Sequence, residues 1–431
     1  MKKFFLKTYG CKVNQYETQV LREQLLAAGL RETNDGEADF YFLNSCVVTD
    51  KSARNCRQFI RKCLNDHPRA KIILCGCYAD YQAQEILEIA PQIIICRNND
   101  KANIIQLLNR NDSERLNLAL RPIQKITGFK GRTRAFVKVQ DGCNNFCSYC
   151  VVPYVRGMPQ SRRINEIKSE VCQLVDAGYK EMVITGINLG AYGRDFKNGS
   201  NLKTLLLELL KMSGIKRLRL SSIEPQYLSS DLIKLIAETN VLCPHLHLPL
   251  QSGDDAVLKA MNRNYTANEY LRLCVYAKKM IPDLAITTDI IAGCPQESEK
   301  AYRNTLNIAS EIGFLRIHVF PFSRRRFTTA YQWKQLLPAV VKERVMILQE
   351  TAIGLSIKYR QKYLNQKLEL LVENRKNGDL RGYTQNFIQV SVVGNKSLQN
   401  QIVPVEITKV EVRNTFAKIV STESAAPSCD P

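Results

Sequence analysis

Cys143, Cys147 and Cys150 stand at CxxxCxxC spacing in Asp141-Gly142-Cys143-Asn144-Asn145-Phe146-Cys147-Ser148-Tyr149-Cys150, directly after an extended apolar run, Arg134 to Val139. Thiolate is a soft ligand, and four-iron clusters are held by such sulfurs. Three clustered ligands leave one iron of such a cluster without a protein donor, open to a further ligand. A structural zinc site is the competing reading, but it closes with a fourth Cys or His at short spacing. None follows here, and none of the chain's four histidines lies nearby. The spacing favours iron–sulfur chemistry.

The totals bound the setting. A chain of 431 residues holds about two or three domains at ~150 residues each, and 45% hydrophobic residues exclude global disorder. Fifteen cysteines would mean disulfides in a secreted protein. Lys7, however, ends the apolar start Met1–Leu6 far short of a signal-peptide core, and no apolar run approaches the ~20 residues that span a bilayer. A reducing cytoplasm without a membrane partner is the expected setting, so the cysteines divide into metal ligands and small buried hydrophobes. A formal charge of +20 favours a polyanionic partner through phosphate contacts, against the plainer reading of a solvated basic surface.

Three sets of elements must position the chemistry. From Lys3 to about Arg110, strand candidates at Phe4–Thr8, Phe40–Leu43, Ile72–Leu74 and Ile93–Ile95 alternate with helical patterns at Gln15–Ala28, Ser52–Leu64, Tyr81–Ile89 and Ala102–Leu108. Such a series predicts a doubly wound parallel sheet, which binds ligands beyond the carboxyl ends of its strands. Cys11, Cys46 and Cys77 follow the first three strands and would converge there as a second three-thiolate set; ordinary buried cysteines are the alternative. Cys56, Cys63 and Cys75 read as packed, while Cys96, after the fourth strand, stays open as a ligand.

A polar stretch from Arg110 to about Ile126 marks the first boundary, and a second alternation follows. Arg134–Val139, Glu181–Thr185, Arg217–Ser221, His245–Leu250, Ala285–Ile291 and Leu315–Phe320 predict an open, partial (β/α)6 barrel. Barrel sites form at the carboxyl ends of the strands. There lie Gly186 and Asn188, Ser222 and Glu224, Gln251 and Ser252, then Asp289 and Gly293: a rim of small, polar and acidic residues suited to an aminoacyl nucleoside. His245 and His247 read as packed or rim residues. Leu336–Tyr363 predicts a helical connector. Beyond it, short runs at Leu368–Val372, Phe387–Val392, Ile402–Ile407 and Phe416–Val420, punctuated by Gly378, Gly382 and Gly394, predict a small β-barrel. The residues after Thr422 read as a frayed tail.

The words around these residues resemble one family. CxxxCxxC followed by Val-Val-Pro-Tyr-Val-Arg-Gly is similar to the radical S-adenosylmethionine (SAM) enzymes, and to their methylthiotransferase branch. So are Tyr9-Gly10-Cys11-Lys12-Val13-Asn14-Gln15-Tyr16-Glu17-Thr18, Asn44-Ser45-Cys46-Val47-Val48-Thr49, Gly76-Cys77-Tyr78-Ala79, the run His245 to Arg263, and Thr288-Asp289-Ile290-Ile291-Ala292-Gly293. The resemblance implies a methylthiotransferase amino-terminal domain (1–118), a radical SAM core (127–355) and a TRAM-like RNA-binding domain (364–422). It implies two [4Fe-4S] clusters, one on Cys143, Cys147 and Cys150 that binds and cleaves S-adenosylmethionine, and an auxiliary one on Cys11, Cys46 and Cys77 that carries the sulfur. Gly186, Asn188, Ser222, Glu224, Gln251, Ser252, Asp289 and Gly293 are the expected contacts to S-adenosylmethionine.

The segment Gly10 to Glu17 is most similar to the branch that acts on N6-threonylcarbamoyladenosine beside the tRNA anticodon. The implied partners are therefore tRNA and a reducing electron donor. The branches for isopentenyladenosine in tRNA and for a ribosomal-protein aspartate are the in-family alternatives, and a noncatalytic iron–sulfur RNA-binding protein is the alternative from another class. Arg324–Arg326 is a candidate basic pocket for a threonyl carboxylate, set against an exposed basic loop. Two departures stand out. Cys294-Pro295-Gln296 replaces the family's phenylalanine-proline-glycine, with Cys294 read as a packing replacement. Phe327 replaces a glycine in Ser323-Arg324-Arg325-Arg326-Phe327-Thr328, which puts that loop's conformation in question.

Overall fold

The computed structural model describes residues 1–34, 37–110, 125–376 and 378–420. The polar stretch after Arg110, the boundaries at 118 and 422 and the tail fall largely outside them.

The amino-terminal unit runs β1 (Lys3–Thr8), α1 (Lys12–Ala27), β2 (Arg31–Glu32), β3 (Phe40–Ser45), α2 (Asp50–Asp66), β4 (Lys71–Gly76), α3 (Cys77–Tyr81), α4 (Ala83–Ile89), β5 (Ile94–Cys96) and α5 (Ile104–Arg110). All strand pairs are parallel and the order is β2-β1-β3-β4-β5. Phe4, Phe40, Phe42 and Ile73 pack with α1 and α5 on one face, while Tyr41, Leu43, Ile72 and Leu74 pack with α2 and α4 on the other. This is the doubly wound arrangement, and its strand order reverses between β1 and β3, where such sheets hold ligands. The two-residue strand β2 was not expected from the sequence, being too short to show a period.

The central unit contributes β6 (Arg134–Asp141), α6 (Val152–Arg156), β7 (Gln160–Ser161), α7 (Ile164–Asp176), β8 (Glu181–Gly186), α8 (Leu202–Leu210), β9 (Arg217–Leu220), α9 (Ser230–Ala237), β10 (His245–His247), α10 (Asp255–Ala260), α11 (Ala267–Met280), β11 (Ala285–Ala292), α12 (Glu299–Ile312) and β12 (Arg316–Pro321). Parallel β6-β8-β9 and β10-β11-β12 meet through the bridges Leu218↔Leu242 and Ser222↔His247, so six parallel strands curve into a partial barrel. Its apolar layer, with Val137, Ile184, Leu218, Leu246 and Ile286, packs beneath the surrounding helices.

α13 (Pro338–Gln361) leads to a closed barrel of β13 (Lys367–Lys376), β14 (Asp379–Thr384), β15 (Gln389–Val392), β16 (Ile402–Val410) and β17 (Thr415–Ile419). Four strands were expected here. The fifth, β14, follows Gly378 and contains Gly382, both of which read as punctuation. Gly382 is instead a packing necessity: a Cβ there would lie 1.9 Å from the Leu371 carbonyl oxygen.

This small barrel covers the amino-terminal end of the partial barrel's strands, opposite CxxxCxxC. Arg219 donates to the carbonyls of Gln385 (2.8 Å) and Thr384 (3.2 Å), and Arg217 to that of Glu369 (3.0 Å). Phe387 stacks on His245 at 4.2 Å beneath the guanidiniums of Arg134, Arg219 and Arg316. Buried Glu181 balances this cationic layer, accepting from Arg219 at 2.7 Å. A buried charge needs such a partner to remain ionised.

Candidate active site

Cys143, Cys147 and Cys150 occupy the loop between β6 and α6. The loop is fixed from outside: Ser148 donates through N to the Met261 carbonyl (3.0 Å) and through Oγ to that of Ala260 (2.6 Å), and Asn262 Nδ2 donates to the carbonyls of Asn145 and Phe146 (3.1 Å each). The end of the His245–Arg263 signature thus serves as the loop's clamp. Arg263 Nη1 lies 3.3 Å from Cys147 Sγ and also pairs with Glu224, joining strand-three and strand-four loops to the cysteine. Asn188 Nδ2 stands 3.8 Å from Cys143 Sγ, and its Oδ1 is buried without a hydrogen-bond partner. Burial pushes all three thiols above their ordinary range, and the Arg263 guanidinium opposes this at Cys147.

Cys11 precedes α1, Cys46 follows β3 and Cys77 opens α3, so all three stand at the carboxyl edge of the amino-terminal sheet. Burial pushes the Cys46 thiol up to about 12, and the neighbouring Cys77 and Cys11 sulfurs add to the rise. The approach is close: Gly10 has φ +98°, and a Cβ there would lie 2.7 Å from Cys46 Sγ. Asn14 secures the turn by donating to the Tyr9 (2.9 Å) and Ser45 (2.8 Å) carbonyls. Cys96 does not join this set. It pairs in register with Cys75, and both sit in the core with Phe4 and Leu25. Cys294 packs with Met261, Ile291 and Trp333, as a neutral replacement would.

Arg156 links the two units that carry the cysteine sets. It ends α6, just past CxxxCxxC, and its side chain is 1% exposed. Nε lies 3.3 Å from Cys77 Sγ; Nη1 donates to Glu17 Oε1 (2.9 Å) and to both Asp141 oxygens (3.0 Å each), and Nη2 to Asn14. Lys138 reaches the same two carboxylates, at 2.9 and 2.8 Å. Burial alone would raise Glu17's carboxyl, but Arg156, Lys101 and Lys138 hold it well below the usual range. The Glu17–Arg156–Asp141 bridge locks α1 onto β6. Tyr16 supports it by donating to Glu170 at 3.1 Å.

The remaining expected contacts divide. Asp289 faces the barrel lumen, paired with His247 Nε2 at 3.2 Å. Burial would raise its carboxyl, but His247, His318 and Lys12 hold it below the usual range. Gln251, at φ +64°, exchanges backbone hydrogen bonds with Asp289 and Ile291, and Ser222 bridges to His247. Gly186 packs on Gln140. Two residues point elsewhere. Ser252 is fully buried with Oγ 3.4 Å from Thr305 of α12, and the Gly293 amide donates to Glu297 while its Cα packs on Val341 of α13.

Sequence reasoning missed Arg156, Arg263 and Lys12, since each acts through partners distant in the chain. Lys12, beside Cys11, is exposed and lies within electrostatic reach of Asp289, Arg134 and Arg219, and among the described residues it forms no hydrogen bond or ion pair. Arg325 is no free pocket residue: it pairs with Asp50 Oδ1 at 2.5 Å and with Ser323 at 2.8 Å. The loop keeps a left-handed residue at Phe327, φ +70°.

The donor sets fit polynuclear iron–sulfur groups. A mononuclear tetrahedral site with metal–sulfur bonds of ~2.3 Å would draw its sulfurs to about 3.8 Å apart. Among the described residues, only His247, Asp289 and His318 gather three ligand atoms within 4.8 Å of one another. Neither cysteine trio is that tight, and Lys12 beside Asp289 disfavours a cation at the histidine set.

A six-stranded partial barrel with CxxxCxxC after its first strand defines a radical SAM enzyme, and residues 137–309 match the family described as Radical SAM superfamily. Residues 3–96 match Uncharacterized protein family UPF0004. A Chlamydia pneumoniae protein named threonylcarbamoyladenosine tRNA methylthiotransferase MtaB is 37% identical over 97% of this chain and 98% of its own. A Clostridium tetani protein named tRNA-2-methylthio-N(6)-dimethylallyladenosine synthase is 34% identical over 94% of each. The chain belongs to the methylthiotransferase family of radical SAM enzymes that these relatives represent. In fold alone it is similar to the radical S-adenosylmethionine methyltransferase TsrM from Kitasatospora setae, with a TM-score of 0.56 and 13% identity over 77% of each chain. Among the described residues no helix is long and apolar enough to cross a membrane.

Proposed function

We propose that this chain replaces the hydrogen on carbon 2 of N6-threonylcarbamoyladenosine, beside the anticodon of tRNA, with a methylthio group. The observation that carries the reading is the pair of cysteine trios, with the buried Arg156 guanidinium set between Cys77 Sγ of one and the Asp141 carboxylate just ahead of Cys143 of the other. Cys143, Cys147 and Cys150 would hold one [4Fe-4S] cluster and Cys11, Cys46 and Cys77 the other, with S-adenosylmethionine on the barrel rim. When bound, these groups supply the radical that activates an aromatic C–H bond and the sulfur that replaces the hydrogen, chemistry no acid–base side chain performs.

The chain's own residues orient and enclose. The free Oδ1 of Asn188 would accept from the amino group of S-adenosylmethionine, and Asp289, held ionised, from ribose hydroxyls. Glu224 and Arg263 hold each other and steady Cys147. Glu17 and Tyr16 dock α1 on the barrel through Arg156 and Glu170. Lys12 is the cation best placed for the threonyl carboxylate, a group isopentenyladenosine lacks. A reducing electron donor and a cytoplasmic setting complete the proposal.

Anaerobic reaction of the reconstituted protein with anticodon stem–loops carrying either modified adenosine tests it. Methylthio product and 5′-deoxyadenosine are expected from the threonylcarbamoyl RNA, and Lys12→Gln is expected to raise its KM about tenfold or more, the loss of a charged hydrogen bond. Product from the isopentenyl RNA alone would assign the chain to the other branch.

A further inference from the structure

Around the mouth of the site stands a group of exposed rings. Phe327 is 62% exposed, Tyr154 51% and Phe146 47%. Phe327 meets Tyr81 edge-on at 5.8 Å and Tyr154 at 6.4 Å, and Tyr154 meets Phe146 edge-on at 6.0 Å. The rings come from three places: the CxxxCxxC loop and α6, the loop after β12, and α3 of the amino-terminal sheet. Large apolar side chains clustered in the open mark an interaction site.

The loop carrying Phe327 is held on both sides. Arg325 is anchored to Asp50, the Arg326 amide donates to the Tyr81 hydroxyl, and Thr328 Oγ1 donates to the Arg325 carbonyl at 2.7 Å. These contacts keep a bulky residue at φ +70°, a region such residues rarely enter. The ring is therefore presented to solvent by the surrounding structure. Arg324, stacked over Tyr331 at 4.1 Å, and Arg326 flank it, both exposed.

We propose that Phe327, Tyr154 and Phe146 form a stacking platform for unpaired bases of the tRNA anticodon loop, with Arg324 and Arg326 facing its phosphates. The inference rests on the tRNA reading above. Chemistry on an adenine requires turning it out of its stack, which leaves its loop neighbours unstacked beside the mouth. Aromatic faces with adjacent arginines bind such bases irrespective of sequence. The chain's excess of 61 Lys and Arg over 41 Asp and Glu complements an RNA rather than an apolar protein partner.

Phe327→Gly deletes the ring at a backbone position glycine accepts without strain, so the fold should be kept. Anisotropy with a fluorescein-labelled anticodon stem–loop should show affinity about tenfold weaker, within the range expected for one lost stacking contact. Phe327→Trp should bind like the parent. The melting temperature, and 5′-deoxyadenosine released without RNA, should not fall in either variant. Unchanged affinity in Phe327→Gly, while the parent binds and modifies the stem–loop, overturns the platform and leaves the function standing. Loss of a concentration-dependent dimer with RNA affinity intact would also overturn it, assigning the rings to a second copy. A parent that binds no stem–loop overturns both readings.

Discussion

Replacing Cys143, Cys147 and Cys150 together by alanine is expected to abolish 5′-deoxyadenosine release and to lower bound iron from about eight to about four per chain, one four-iron cluster's worth. Replacing Cys11, Cys46 and Cys77 should lower iron equally but leave 5′-deoxyadenosine release in place while methylthio product disappears. The asymmetry follows from the architecture. The first trio lies on a loop clamped by Ser148, Met261 and Asn262 within the partial barrel, whereas the second lies on three strand ends of a separate sheet with its own core. Iron analysis and nucleoside chromatography on the two triple variants check this. A loss of all iron from either one would mean that the sets do not load separately.

Arg156→Gln is expected to have the largest effect of any substitution outside the cysteines. It leaves the half-buried Glu17 and Asp141 with lysines alone, and removes the donor at Cys77 Sγ. Breaking one partner of a buried ion pair costs about 3–5 kcal/mol; Lys138 and Lys101 stay in place, so a value near the lower end is expected in a denaturant melt. Hydrogen bonds to sulfur tune cluster potentials. The auxiliary set should therefore become harder to reduce by roughly 60 mV, about 1.4 kcal/mol for one electron, as read by redox titration with spectroscopic detection. A purely structural role would lower the melt and leave that potential unmoved. Arg156→Lys, which keeps the charge without the planar fork, should fall between.

Much of this was legible in the residues, for different reasons. CxxxCxxC declares itself because its three cysteines are local in the chain. Cys11, Cys46 and Cys77 required a fold: the parallel pairing of β1, β3 and β4 puts their ends on one edge, and the strand order makes the three neighbours. Cys96 resisted sequence reasoning because it too ends a strand; its register with Cys75 shows that it faces the core. Lys12, Arg156 and Arg263 were not recognised, as a single basic residue carries no signal until its tertiary partners are known. Ser252 and Gly293, expected at the ligand, also pack against α12 and α13, contacts that no local pattern announces. β14 was hidden by two glycines: Gly382, whose reason is the close approach of β13, and Gly378, which takes φ +91° in the turn before it. The small barrel's sequence also gave no sign that its Phe387 face would close the far end of the partial barrel.

The most direct test of the central claim is the nucleoside content of tRNA from a strain lacking this gene. The account predicts that N6-threonylcarbamoyladenosine accumulates, that its 2-methylthio derivative disappears, and that the intact chain restores the derivative while the variant lacking Cys11, Cys46 and Cys77 does not. An unchanged threonylcarbamoyladenosine profile, or loss of methylthio-isopentenyladenosine in its place, would contradict it.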